Sequence, residues 1–279
     1  PCGSHWRGLV GVGMSTSVST QRLGITELGT GFNIDFNDAW HYAIQGMTRS
    51  GKSVLVYSLL APLAACDNVR ICGVDPTGIL LKPWQEHPGS EYRHLGGKDL
   101  QHAADVLASL CDEMDRRIQD MLAAYQDKIE VFTPDLPLLV VVLEEYPGLL
   151  ALAESYDTAA GLKPAERVQN RIKRSVKRLV QEGAKAGIRL VLIAQRMDAS
   201  IVGGAERSNF GVRITMRVDN ADAVGMLHPS ATPDDLAVAL ASRTGEGVFQ
   251  HPDNGSTIRR FKASYASYDQ YVDYVRGSL

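Results

Sequence analysis

GMTRSGKS, residues 46–53, carries the spacing G-x-x-x-x-G-K-[ST] between a stretch that reads as a strand, WHYAIQG, and one that reads as a buried helix, KSVLVYSLLAPLAAC. That pattern in that setting serves phosphate chemistry. Gly46 and Gly51 let the backbone turn tightly. Successive N–H groups from Met47, Thr48, Arg49 and Ser50 through to Val54 then face an anion at a helix N-terminus. Lys52 would reach the β- and γ-phosphates of a nucleoside triphosphate, and the Ser53 hydroxyl would hold Mg2+.

LPLLVVVLEEYPGLL, residues 137–151, is almost all hydrocarbon, yet Glu144 and Glu145 interrupt it. A lone charge buried in such a run is either costly or neutralised, so two adjacent carboxylates need a reason. The phosphate loop upstream supplies one. The acids are expected at the C-terminal end of a strand beside the phosphate-loop strand, next to the nucleotide rather than within the core. There Glu144 would hold Mg2+ through water and Glu145 would polarise the water that attacks the γ-phosphate. Aspartate is commoner at the first position, and the extra methylene of Glu144 should still permit a water-mediated contact. RLVLIAQR ends a third strand with Gln195, whose amide is expected near the γ-phosphate.

The elements that must position these groups follow from periodicity. NVRICGVD reads as a strand, and residues 98–127 as a long amphipathic helix. LPLLVVVLEE is apolar on both faces, as a strand covered on both sides must be. A basic helix over about 164–186 leads to the strand RLVLIAQ; then come GVRITMRV, the turn-rich HPSATPDD, and a hairpin of GEGVFQH with TIRRFKASY. Strand–helix alternation with buried strands predicts an α/β fold: a mostly parallel central sheet flanked by helices, with a β-rich C-terminal edge.

With 279 residues, 44% of them hydrophobic, the chain can bury a sizeable core. Its net charge of −3 gives no global pull toward nucleic acid or anionic lipid, so such a partner needs a local basic patch. The four cysteines lack a CxxC pair and the seven histidines an HxxxH pair, which argues for a reduced, cytoplasmic protein without structural zinc. No apolar run reaches the roughly 18 residues that span a bilayer. Membrane association is therefore expected only through partners or through segments outside this sequence. Residues 1–21 read as a flexible tail, with Gly-Ser-His a cloning remnant and Met14 a native start, and 22–279 as one domain.

These pieces, in this order, resemble the motor domain of the FtsK/SpoIIIE family, the hexameric DNA translocases of the FtsK–HerA branch of P-loop ATPases. VDPTG resembles the family's Asp-Pro turn, DEMDRRI its Glu-Met-x-x-Arg helix motif, and AGIRLVLIAQRMD its Ala-Gly-Ile…Thr-Gln-Arg-Pro segment. NFGVRITMRVDNADAVGML resembles its Ile-x-x-Arg-Ile strand, and GEGVFQHPDNGSTIRRFKASY its C-terminal pattern. The resemblance runs from about residue 22 to 275. Departures are Glu144 for aspartate, Ala194 for threonine and Met197 for proline. The resemblance implies a RecA-like P-loop NTPase that uses ATP and Mg2+. It implies a homo-hexamer around double-stranded DNA, the isolated chain being a monomer where no ring forms.

In such a ring an arginine from the neighbouring subunit completes the site. Arg117 or Arg116 of EMDRR is expected in that role, with Arg196 and Arg213 also in play. Residues 163–189 hold nine Lys or Arg against two Glu, and Arg167, Arg171, Arg174 and Arg178 recur at three- and four-residue steps along one helix face. Such a stripe would track DNA phosphates without base preference. SYDTAAGLK and DASIVGGAER are the candidate pore loops. The function expected is ATP-driven movement of double-stranded DNA, as in conjugative transfer or chromosome segregation. The alternatives are a type VII secretion-like ATPase moving a protein, and a non-hydrolysing nucleotide-gated assembly protein.

Overall fold

The computed structural model describes residues 20–197, 207–255 and 257–279. Ten strands form one sheet: β1 (Gln21–Thr26), β2 (Gly31–Ile34), β3 (Tyr42–Gln45), β4 (Val69–Asp75), β5 (Arg93–Leu95), β6 (Leu138–Leu143), β7 (Ile188–Ala194), β8 (Val212–Met216), β9 (Glu246–Gln250) and β10 (Arg259–Ala263). Their spatial order is β2-β1-β10-β9-β8-β3-β7-β6-β4-β5. From β5 across to β8 every neighbour is parallel; β9, β10, β1 and β2 extend that edge by antiparallel pairing. The predicted parallel sheet with a β-rich C-terminal edge is thus the fold.

Seven helices cover the sheet among the described residues: α1 (Lys52–Leu60), α2 (Leu100–Ala123), α3 (Tyr146–Ala159), α4 (Val168–Glu182), α5 (Ala221–Leu227), α6 (Pro233–Leu240) and α7 (Tyr268–Arg276). Alternation along the strands divides the core in two. Val140 and Val142 of β6, with Val191 and Ile193 of β7, pack on Leu55 and Leu59 of α1 and Tyr271 of α7. Leu139, Val141, Leu190 and Leu192 point the other way, onto Leu107 of α2, Leu149 of α3 and Ile172 of α4. Burying each such side chain contributes about 1.5–3 kcal/mol. Because both faces are covered, all residues of β6 and β7 are buried, which is why their sequences lack polar alternation. No helix among the described residues is long and apolar enough to cross a membrane.

Several expectations are corrected. The acid strand is not beside the phosphate-loop strand: β7 lies between β3 and β6. The helix after the phosphate loop stops at Leu60 and continues as a 3-10 turn, Ala61–Ala65, because Pro62 lacks an N–H to extend it. The basic helix is shorter than 164–186; it begins at Val168, where the Asp157 carboxylate accepts from the N–H groups of Val168 and Gln169 at 2.8 and 3.0 Å. SYDTAAGLK is not a free loop, since residues 155–159 finish α3 and Asp157 is that buried cap. DASIVGGAER falls almost entirely on residues 198–206, outside the described residues. Gln21 is not part of a flexible segment: it is buried and opens the β1–β2 hairpin, for which the sequence carried no expectation.

Candidate active site

β3 runs into the phosphate loop at the middle of the sheet. Gly46 is required there by space, since a Cβ would meet Ser50 Oγ at 2.6 Å and Met216 Cβ at 2.7 Å. Gly51 caps α1 with φ 97°, a left-handed conformation that favours glycine. The back of the loop is pinned from the β8–β9 side. Met47 N–H donates to the Arg217 carbonyl at 3.0 Å, the Thr244 hydroxyl to the Arg49 carbonyl at 3.0 Å, and Gly245 N–H to the Ser50 carbonyl at 2.8 Å. Lys52, Ser53 and Val54 form the first turn of α1, where N–H groups have no helical carbonyl to bond and the helix dipole favours an anion.

The acids leave β6 in different ways. Glu144 extends the strand, its N–H donating to the Val74 carbonyl at 3.0 Å. Glu145 then takes φ 45°, ψ 50° as the cap of α3, and makes no capping bond with its side chain. A left-handed non-glycine residue stores of order 1–3 kcal/mol, held only where its surroundings over-determine it. Here the turn aims the carboxylate across the sheet end. Its Oε2 lies 3.5 Å from Lys52 Nζ, and its Oε1 accepts from the Gln195 backbone N–H at 3.4 Å. The intervening strand β7 is what makes this possible, because it puts Gln195 between the phosphate loop and the acids.

Lys52, Ser53, Thr77 and Glu144 line a cavity of about 240 Å³ whose remaining wall is Val56, Tyr57, Ile79, Leu80 and Ile193. Burial pushes the Glu144 carboxyl up to about 7; Lys52 opposes the rise, while Asp75 and Glu145 add to it. A hydroxyl and a carboxylate on one cavity are hard donors suited to Mg2+, and a dication between them would offset the crowding of acids. Asp75 is engaged by its own loop. Its buried carboxylate holds the loop after β4, accepting from the N–H groups of Thr77, Gly78 and Leu81 and from the Thr77 hydroxyl at 2.8–3.0 Å.

The arginine candidates separate sharply. Arg117 is 2% exposed and spent inside the chain, donating to Glu113 at 2.7 Å and to the Ala186 carbonyl at 3.1 Å, so it cannot reach a neighbour. The structure corrects that expectation. Arg116 lies on the outer face of α2, held by Glu113 and Asp120. Arg213 is tied to the Phe210 and Arg207 carbonyls, whereas Arg196 is exposed. Of the basic stripe, Arg171 donates to Asp105 and Gln101, and Arg178 to Asp115. Both are therefore neutralised by α2. Arg167 and Arg174 remain exposed, Arg167 donating to the Leu162 carbonyl at 3.3 Å.

Sequence reasoning missed Thr77, Tyr57 and Ile193 as cavity walls. Only the VDPTG turn signalled the first; the other two carry no local signal.

A profile described as the FtsK/SpoIIIE family matches residues 19–199. DNA translocase SftA of Bacillus subtilis is 27% identical over 286 residues, covering 95% of this chain and 27% of that protein. DNA translocase FtsK of Mycobacterium tuberculosis is 27% identical over 241 residues, covering 81% and 27%. The chain thus spans about a quarter of the length of these curated relatives. Among solved structures, the pCW3 conjugation coupling protein TcpA, in its monomer form with ATPγS, superposes with a TM-score of 0.68 at 21% identity, covering 93% of this chain and 69% of that one. The cytoplasmic domain of the Thermomonospora curvata type VII secretion ATPase EccC gives 0.67 at 18% identity, covering 96% and 32%. At these identities the likeness speaks to the fold.

Proposed function

This chain belongs to the FtsK/SpoIIIE family, and from that premise we propose that it is an Mg2+-dependent ATPase whose turnover moves double-stranded DNA, as in conjugative transfer or chromosome segregation. The observation that carries the reading is the convergence of three strand ends: Lys52 after β3, Glu145 after β6 and Gln195 after β7 meet within 3.5 Å steps.

Each residue then has a task. The α1 N-terminus and the Lys52 ammonium bind and orient the phosphates of ATP. Ser53 and Glu144 would hold Mg2+, which neutralises charge on the β- and γ-phosphates. Glu145 accepts the proton of the attacking water, and its strained turn holds it beside Lys52 and the Gln195 N–H. Gln195 orients that water or reports its loss. In a homo-hexameric ring Arg116 is the candidate that completes a neighbour's site, with exposed Arg196 second. Of the four stripe arginines, Arg167 and Arg174 make no ion pair among the described residues and would track DNA phosphates; Arg171 and Arg178 contribute less, being paired already. That half-neutralised stripe is also what favours a second reading, a protein-moving ATPase of the type VII kind.

Steady-state ATP hydrolysis with and without long double-stranded DNA, for the natural sequence and for Lys52→Ala, tests the proposal. DNA-stimulated turnover that vanishes in Lys52→Ala is expected. Turnover indifferent to DNA in the assembled protein would favour the protein-moving reading. No hydrolysis at any protein concentration would overturn the enzyme assignment.

A further inference from the structure

Among strands built of Val, Leu and Ile, β3 ends in an amide, Gln45, fully buried one residue before the phosphate loop. Its Oε1 accepts from the Met197 N–H at 3.0 Å; its Nε2 donates to Thr215 Oγ1 at 2.9 Å and to the Ala223 carbonyl at 2.7 Å. The chain of bonds continues from Thr215 Oγ1 to His228 Nε2 at 2.8 Å, from His228 Nδ1 to Gln250 Oε1 at 2.8 Å, and from Gln250 Nε2 to Ser230 Oγ at 2.9 Å. Thr215 and His228 are 0% exposed and Gln250 is 2% exposed.

One proton arrangement satisfies every member. An amide oxygen only accepts, so His228 donates from Nδ1 and accepts the Thr215 hydroxyl at Nε2, leaving Thr215 a lone pair for Gln45. Turning the Gln45 amide over would set N–H against the Met197 N–H and oxygen against the Ala223 carbonyl. Burial pushes His228 down to about 4, so the ring stays neutral and the chain does not titrate near neutrality. A fully satisfied buried network of this kind specifies position more than it adds stability.

We propose that Gln45 is a positioning residue for hydrolysis: it holds the segment Gln195–Met197 in register with the phosphate loop, and the buried chain through Thr215 and His228 holds Gln45. The Gln195 N–H meets Glu145, and two residues on the Met197 N–H meets Gln45. The segment is thereby clamped between the proton-accepting acid and the base of the phosphate loop. A movement of either is transmitted to the other, and through Thr215 and Ala223 to β8 and α5. The inference rests on the hydrolysis proposed above.

The test uses Gln45→Met, close in volume but without the amide, and Thr215→Val, which removes only the support. In Gln45→Met, ATPγS affinity is expected within about threefold of the natural protein while kcat falls about 10- to 100-fold, the mark of lost positioning rather than lost binding. Hydrogen exchange at the Met197 amide should speed at least about tenfold, the phosphate loop remaining protected by ATPγS. Thr215→Val should shift kcat and exchange in the same direction by less, and it carries the test alone if Gln45→Met does not fold. Unchanged exchange at Met197, or kcat, affinity and Tm falling together, would overturn the proposal. If the natural protein does not turn over ATP the functional reading fails, and exchange at Met197 with ATPγS still decides the role of Gln45.

Discussion

Two adjacent glutamates with the same chemistry are given different work by one backbone angle. Glu144 stays in strand geometry and faces the cavity; Glu145, at φ 45°, turns to Lys52 and Gln195. Glu145→Gln keeps the shape, leaves one amide oxygen to accept from either Lys52 or the Gln195 N–H, and cannot accept a proton. Single-turnover hydrolysis should therefore fall about 10²- to 10⁴-fold with ATP binding retained. Glu144 predicts a pH effect. Its carboxyl ionises near 7 in the folded chain against 4.5 when free, so in that window the folded chain keeps a proton the unfolded chain has lost. Metal-free stability accordingly falls as pH rises from 4.5 to about 7 and levels above it. Mg2+ takes the ionised form, so Mg2+ with ATPγS should raise Tm more at roughly pH 8 than at roughly pH 6. Thermal melts of Glu144→Gln across the same range should lose both trends. The residue types and their spacing were legible in the sequence. The turn at Glu145 was not, since a left-handed glutamate has no sequence signature and persists only because the packed sheet end imposes it.

At the level of elements, α4 shows how a periodic pattern can be read correctly and its partner missed. Arg171 and Arg178 meet acids of α2 across 66 and 63 residues of chain, as the Arg171–Asp105 and Arg178–Asp115 pairs show, whereas Arg174 stays exposed and Arg167 precedes the helix. Both pairs are partly exposed, so Arg178→Ala should lower stability by only about 0.2–1 kcal/mol. Arg174→Ala and Arg167→Ala should leave Tm unchanged, weaken DNA binding, and reduce the slope of log K against log salt by about one for each phosphate no longer neutralised. A titration of labelled duplex at several salt concentrations reads this. The neighbours Arg116 and Arg117 make the same point within one helix turn. Arg117→Met removes a buried guanidinium from Glu113 and the Ala186 carbonyl and should destabilise by about 3–5 kcal/mol, visible in a denaturant melt. Arg116→Ala should melt like the natural protein and, if Arg116 completes a neighbour's site, lose turnover only in the assembled state.

For the whole molecule, the proposed completion of the site by a neighbour would make activity depend on assembly. Specific ATPase activity should rise with protein concentration and with DNA length, and mixing in Lys52→Ala chains should depress it more than in proportion to their fraction; activity strictly linear in protein would argue for a self-sufficient monomer. The sequence by itself determined the parallel α/β layout, the phosphate loop, the acid pair and the glutamine that follows β7, because phosphate chemistry and burial on both faces each demand particular residues at short spacing. Only the folded arrangement settles that β7 separates the loop strand from the acid strand, that the Gln45 amide at the end of β3 meets Met197, and that Arg117, Arg171 and Arg178 are paired within the chain. Strand order and side-chain pairing join residues far apart in the chain, as Lys52–Glu145 and Gln45–Ala223 do. They depend on which buried faces and polar groups meet across the sheet, information that no short window of sequence contains.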